Sequence, residues 1–180
     1  MGIEEFFRQF EDGETDFSGV DLRGVYLRDI GLMGFDFTGA DLSNANLEGC
    51  DLQGAELCEA NLTGAKFRNS VLDDVDLSGA NLSGTDLSGV RMGQVALHKV
   101  IMIGANLSGA DLLQAGFKDA DLTGTNLSGA FLGETYFYNV NLTNVNFMGA
   151  ECLSERSMKG VIFCNTIMPD GSVRNDNCGS

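Results

Sequence analysis

Large apolar side chains return along this chain with a period of five. From Phe17 to Phe147 every fifth residue is Leu, Phe or Met, twenty-seven positions in succession, of which nineteen are Leu, six Phe and two Met. That spacing matches neither the 3.6 of an α-helix nor the 2 of an ordinary strand. We number each pentad −2 to +2 about this apolar centre. From Val20 to Ala150 position −2 holds a small or β-branched residue, chiefly Ala, Val or Thr, with Ile30, Phe35, Cys50 and Ser70 as departures. Two positions in five therefore face inward. The other three are mostly polar or Gly: Asp or Asn at −1 (Asp21, Asp41, Asn61, Asn81, Asp121), often Ser or Thr at +1, and Gly at +2 in fifteen of the twenty-seven pentads.

A chain that turns in on the same two positions every five residues bends once per pentad, and four bends return it above its start. The pattern predicts a solenoid with coils of about twenty residues. Twenty-seven pentads give a little under seven coils, a shaft roughly 30 Å long at the ~4.8 Å spacing of neighbouring strands. Gly at +2 marks a turn with positive φ. Asp, Glu, Asn, Gln or Lys at 74, 94, 114 and 134 and at 99, 119 and 139 is expected to mark another turn type, so that two adjacent faces of the later coils differ in backbone. Asn106, Asn126 and Asn146 fall one above another and are expected to form a side-chain ladder.

The strings ADLSN, ANLEG, ANLTG, ANLSG and ADLTG between residues 40 and 124 resemble the pentapeptide-repeat family. The resemblance covers about three quarters of the chain and implies an all-β fold, a right-handed quadrilateral β-helix. On this reading residues 1–14 form an N-terminal helical cap, 15–151 the β-helix and 152–180 a C-terminal cap or tail, all one domain. Ile3, Phe6, Phe7 and Phe10 make one stripe of a short amphipathic helix that can cover the first coil. Ser154 is expected to cap a second short helix over about 155–160, before an extended 161–163 and a turn at Pro169-Asp170-Gly171. The Phe-Cys-Asn-Thr and Met-Pro-Asp-Gly strings of this tail are similar to the end of family members from photosynthetic bacteria.

Catalysis fails on inventory. His98 is the single imidazole and lies outward with no nucleophile or carboxylate trained on it. Asp73-Asp74-Val75-Asp76 lacks the alternation and Gly of a calcium loop, and no spacing resembles a zinc site; no cofactor or metal is expected. Cys50 reads as core, Cys58 as an outward spectator and Cys152 as packing at the end of the shaft. Cys164 and Cys178 either bridge, pinning the tail, or stay a reduced cytosolic pair. With neither an apolar run of ~20 residues nor a basic and then apolar start, the chain is expected to be cytoplasmic, away from membranes.

Charge supplies the remaining information. Twenty-six acids against eleven bases give a net charge of −15, which disfavours direct nucleic-acid binding. Asp16, Asp36, Glu56 and Asp76 are equivalent positions on successive coils and should line one face, with Asp21 and Asp41 beside them on the next. Two functions compete. One is a structural or protein-interaction module with an unidentified protein partner. The other is a rod that mimics duplex DNA in the saddle of a type II topoisomerase, as the resemblance to quinolone-resistance members implies. A covered C-terminus argues for a monomer, while Ile101, Ile103, Leu113, Phe131, Tyr136 and Tyr138, all outward, leave a dimer open. The tail is expected to fold back over Phe131, Tyr136 and Tyr138.

Overall fold

The computed structural model describes residues 3–178. Residues 1, 2, 179 and 180, the outer ends of the two expected terminal segments, lie outside the described residues. The repeat winds as a parallel β-solenoid. Bridges join residues twenty apart from the start: Asp16 to Asp36, Asp21 to Asp41, Tyr26 to Asn46, Gly31 to Asp51. Four pentads thus make one coil. Its sides are called here side 1 (centres Phe17, Phe37, Leu57 and so on), side 2 (Leu22, Leu42), side 3 (Leu27, Leu47) and side 4 (Leu32, Leu52).

The pentad satisfies its own backbone. The centre and +2 amides donate to the coil above, as Leu107 to Asn126 O (2.7 Å) and Gly109 to Ser128 O (2.9 Å), and the −1 amide donates to the coil below, as Asn106 to Thr85 O (2.9 Å). The −2 amide closes the turn onto the preceding centre, as Ala110 to Leu107 O (3.1 Å). Only the +1 amide is left over. An Asp or Asn at −1 accepts it: Ser18 donates to Asp16 Oδ1 at 3.0 Å, Ser43 to Asp41 Oδ1 at 3.0 Å and Ser108 to Asn106 Oδ1 at 3.2 Å. A buried or half-buried amide without a partner is costly, which explains this residue preference.

Every centre is buried, and so is position −2 from Val20 on except at Ile30 and Phe35, which are half-buried. The departures at −2 have local causes. Phe35 meets Phe10 and Phe17, ring centroids 5.8 Å away in both cases. Ser70 donates its hydroxyl to Leu47 O (2.7 Å), and the Cys50 thiol reaches Leu27 O (2.9 Å). Buried Thr125 and Thr135 use the same bond, to the carbonyl of the centre one coil below, at 2.7 Å each. The asparagine ladder is present: Asn126 Nδ2 donates to Asn106 Oδ1 (3.2 Å) and Asn146 Nδ2 to Asn126 Oδ1 (3.3 Å).

The corners depart from the expectation of two turn types. Every +2 residue has positive φ, the non-glycines included, with φ 54–60° from Asn139 to Asp29 and Asp74. Asp and Asn bear this conformation at low cost, and a side chain there fills the space above a glycine of the next coil: a Cβ on Gly49 would collide with Asp29, and one on Gly160 with Asn139. Consecutive non-glycine corners bond to each other, Gln114 to Glu134 (2.7 Å) and Asn139 to Asp119 (3.1 Å). One side, not two, differs in backbone. Side 1 stays extended as β1 (Ala96–His98), β2 (Gly116–Lys118) and β3 (Tyr136–Tyr138), and no closing bond follows Leu97, Phe117 or Phe137 among the described residues.

At the N-terminal end α1 (Ile3–Glu11) lays the fully buried Phe6 on Phe17 at 4.6 Å between ring centroids. Ile3, expected on the same stripe, is exposed. At the other end the pairing runs past residue 151. Met158–Lys159 (β4) pairs with β3, Ile162 bridges Asn141 and Ile167 bridges Asn146, now twenty-one residues apart. The extra residue is absorbed around a single 3-10 turn, Glu155–Ser157, in place of the helix expected over 155–160. Ser154 makes no side-chain cap; the Ser157 hydroxyl bonds the Ser154 carbonyl instead (2.7 Å). The slip buries part of Leu153 against the core and leaves Cys152 exposed, contrary to the expectation that it packs at the end of the shaft. The tail therefore stacks upward and does not fold back: Tyr136 and Tyr138 remain 42% and 38% exposed. Thr166–Ile167 (β5) then pairs antiparallel with Val173–Arg174 (β6), and Cys164 is disulfide-bonded to Cys178.

Candidate interaction surface

The structure stacks Asp16, Asp36, Glu56 and Asp76 by direct parallel bridges on side 1 and pairs Asp21 with Asp41 on side 2. It does not bring the two sets onto one surface. Their partners differ as well. Asp21 is held by Arg23, 2.7 Å from Oδ2, whereas none of the four side 1 acids has a salt bridge among the described residues. Bonds from the Ser18 amide and hydroxyl hold the Asp16 carboxyl below its ordinary range. Burial pushes the Asp76 carboxyl up, but the Ser78 hydroxyl and amide outweigh it and leave the group below that range. Glu56, one methylene longer, has no such bond and is exposed.

Cys58 stands beside this line and is no nucleophile. Burial, a bond to Asp76 and the charges of Asp76 and Glu56 push its thiol up to about 11. A thiolate is the reactive form.

The sequence places His98, Tyr136 and Tyr138 outward, but their alignment on one side with Lys118 and Lys159 was missed. Above Asp76 the −1 column continues as Ala96, Gly116 and Tyr136, and the +1 column as His98, Lys118, Tyr138 and Lys159. Gly116 has a specific use: a Cβ there would collide with the Tyr136 ring, which lies flat across it. The Tyr136 hydroxyl reaches His98 Nε2, 3.2 Å away and two coils below. Lys159 Nζ stands 5.9 Å from the Tyr138 ring. No salt bridge engages Lys99, Lys118 or Lys159 among the described residues. The available signal was the stride of twenty linking 98, 118 and 138.

Side 1 is thus a flat strip with acids on its lower four coils and cations with tyrosines on its upper four. Recesses of about 310 Å³ lie on side 4 around Asp73, Arg91, Gly93 and Leu113, and of about 200 and 380 Å³ at the C-terminal end on either side of Arg174. Arg174 stacks 3.9 Å from the Phe163 ring centre and pairs with Glu155 (3.1 Å) and Asp176 (2.6 Å). Among the described residues no helix is long and apolar enough to cross a membrane.

A parallel solenoid with a stride of twenty and one apolar centre per five residues defines a class of pentad-repeat β-helix. The model of the family of pentapeptide repeats matches residues 36–74, 76–114 and 115–151 in eight copies, and the chain belongs to that family. Its right-handed β-helix is shared with alr5209, a pentapeptide repeat protein from Nostoc PCC 7120, which is 28% identical over 55% of this chain and 79% of that one, with a TM-score of 0.50. HetL, a pentapeptide repeat protein involved in heterocyst differentiation regulation from Nostoc sp. strain PCC 7120, is 26% identical over 97% of this chain and all of its own, with a TM-score of 0.29. QnrB1, a plasmid-mediated fluoroquinolone resistance protein, is 27% identical over 81% of this chain and 75% of its own, with a TM-score of 0.46. No protein of curated function matches the chain.

Proposed function

We propose that this protein is a non-enzymatic interaction module whose contact surface is side 1. The observation that carries this reading is the strip of four acids below and cations with exposed tyrosines above, none of them in a salt bridge among the described residues. Flat, charge-complementary surfaces with aromatic residues suit protein partners, while catalysis needs an enclosed, desolvated site. Mimicry of duplex DNA is the weaker alternative. Its support is the net charge of −15, but most Asp residues at −1 are occupied in accepting the +1 amide, and the upper half of side 1 is not acidic.

Two measurements separate the readings. Proteins retained from a cell extract by the wild type are expected to be lost with the double variant Asp36→Asn/Glu56→Gln and with Lys118→Glu. The same proteins retained by all three would remove side 1 as the contact surface. Added protein is expected to leave DNA gyrase supercoiling unchanged, and dose-dependent inhibition would favour mimicry instead.

A further inference from the structure

We infer that side 1 docks antiparallel onto side 1 of a second copy of this chain. The inference deepens the reading of side 1 as a contact surface, on which it rests, by naming the occupant.

The argument is one of register. Bridges on side 1 run from Asp16 through Asp36, Glu56, Asp76, Ala96, Gly116 and Tyr136, and the β3–β4 pairing, Phe137 with Met158 and Tyr138 with Lys159, adds a last level. The strip therefore has eight levels, the first four acidic and the last four carrying the cations and tyrosines. Two such strips placed face to face, related by a two-fold axis that runs along the strand direction between the fourth and fifth levels, meet level for level in reverse. Level two then faces level seven, three faces six, and four faces five. This axis keeps each residue's place along the strand, so Asp36 stands opposite Tyr136, Glu56 opposite the Tyr136 ring over Gly116 with Lys118 on its diagonal, and Asp76 opposite Ala96 with His98 on its diagonal. Each encounter occurs twice, as an isologous interface requires. A parallel arrangement would instead set acid on acid at four levels.

Two further features fit this occupant. Because Tyr136 lies over Gly116, the aromatic half adds no ridge that would hold two strips apart. Among the described residues the acids and lysines concerned have no salt bridge to give up. The one like-charged encounter, Glu59 with Asp119, falls at the corner of the strip, where water screens it. Size sets the strength. Eight levels at ~4.8 Å and a side about 10–13 Å across give roughly 400–500 Å² per copy, about half of what a standard stable interface buries. The association is accordingly weak and reversible, and the net charge of −15 on each copy opposes it at low ionic strength more than at ~0.15 M salt, where the Debye length is ~8 Å.

The test is sedimentation equilibrium of the full chain in ~0.15 M salt from ~10 μM to ~1 mM, a range matched to a sub-standard interface. Wild type is expected to show a monomer–dimer equilibrium within that range. Glu56→Lys and Lys118→Glu each create two like-charge encounters and should weaken it at least tenfold. The double variant Glu56→Lys/Lys118→Glu restores opposite charges in both encounters and should return to within about threefold of wild type. Both side chains are exposed, and unchanged melting of all three variants checks the fold. A double variant as weak as either single one, or a wild type monomeric throughout, overturns the inference. If the wild type is monomeric yet the single variants still lose their captured proteins, side 1 remains a contact surface for another protein and only the second copy is excluded.

Discussion

At a pentad centre the side chain is clamped between the coils below and above, so a deletion there cannot be filled by collapse from one side. Leu107 is fully buried with Leu87 and Leu127 as its neighbours on side 3, all equally buried. Leu107→Ala is expected to cost about 2–5 kcal/mol in denaturant titration through lost burial plus the cavity. Ser88→Ala, at the half-buried +1 position where the hydroxyl only doubles an existing bond to Asp86 (2.7 Å), should stay within about 0.5 kcal/mol. Equal losses at the two positions would contradict the inward assignment. This scale was the most legible in the sequence, because a sterically closed interior admits few residue types and repeats them without exception from Phe17 to Phe147. The corners were less legible. Glu59, Gln94 and Lys99 do not advertise positive φ, yet the coil geometry imposes it, and tertiary constraint overrides local preference.

At the scale of elements the two ends are built differently. α1 buries an aromatic side chain against Phe17, whereas the segment from Ser172 to Cys178 buries no apolar side chain; its half-buried member is Arg174. What holds it is the β5–β6 pairing, the bond from Phe163 N to Asp176 O (3.0 Å), the contacts of Arg174 and the disulfide. A bridge closing a loop with a sequence separation of 14 stabilises by up to about 3 kcal/mol, mostly through the unfolded chain. Reduction, or Cys178→Ser, is therefore expected to speed hydrogen exchange at the Phe163 and Met168 amides, whose acceptors are Asp176 O and Ser172 O. The Leu107 amide, in mid-shaft, should keep its rate, because neighbouring coils rather than the whole chain set local stability in a solenoid. Equal acceleration at all three amides would mean that the segment governs the entire fold. The continuation of the coil beyond residue 151 was hidden by one inserted residue. Met158, Phe163 and Met168 keep the spacing of five, but Met158 lies eleven positions after Phe147, so a search in the first register loses them.

For the whole molecule the question is whether −15 of net charge destabilises the shaft or is offset where it arises. Repulsion between stacked carboxylates would raise their pKa values and make the protein more stable on mild acidification. The groups whose direction is resolved point the other way. Asp16, Asp21, Asp41, Asp76, Asp86 and Asp170 all lie below the ordinary carboxylate value. The leading causes are the Ser18 amide at Asp16 and Arg23 at Asp21. At Asp41, Asp76 and Asp86 burial pushes upward, and the following serine's hydroxyl and amide more than reverse it. A folded-state pKa below the unfolded value near ~3.9 means that these groups stabilise fully above that value and lose their contribution as pH falls through the folded values. Stability measured by denaturant midpoint should thus be level from about pH 7 to 5 and decline below about pH 4. Asp76→Asn should match the wild type at pH 7, because an Asn at −1 accepts the same +1 amide, as Asn61 does from Thr63 (3.3 Å). It should also lose less than the wild type at pH 3, since its amide oxygen has no proton to gain in that range. A midpoint that rises as pH drops from 6 to 4 would show instead that repulsion along the acidic columns outweighs the turn bonds, and the acids of side 1 would then be a standing cost kept for binding.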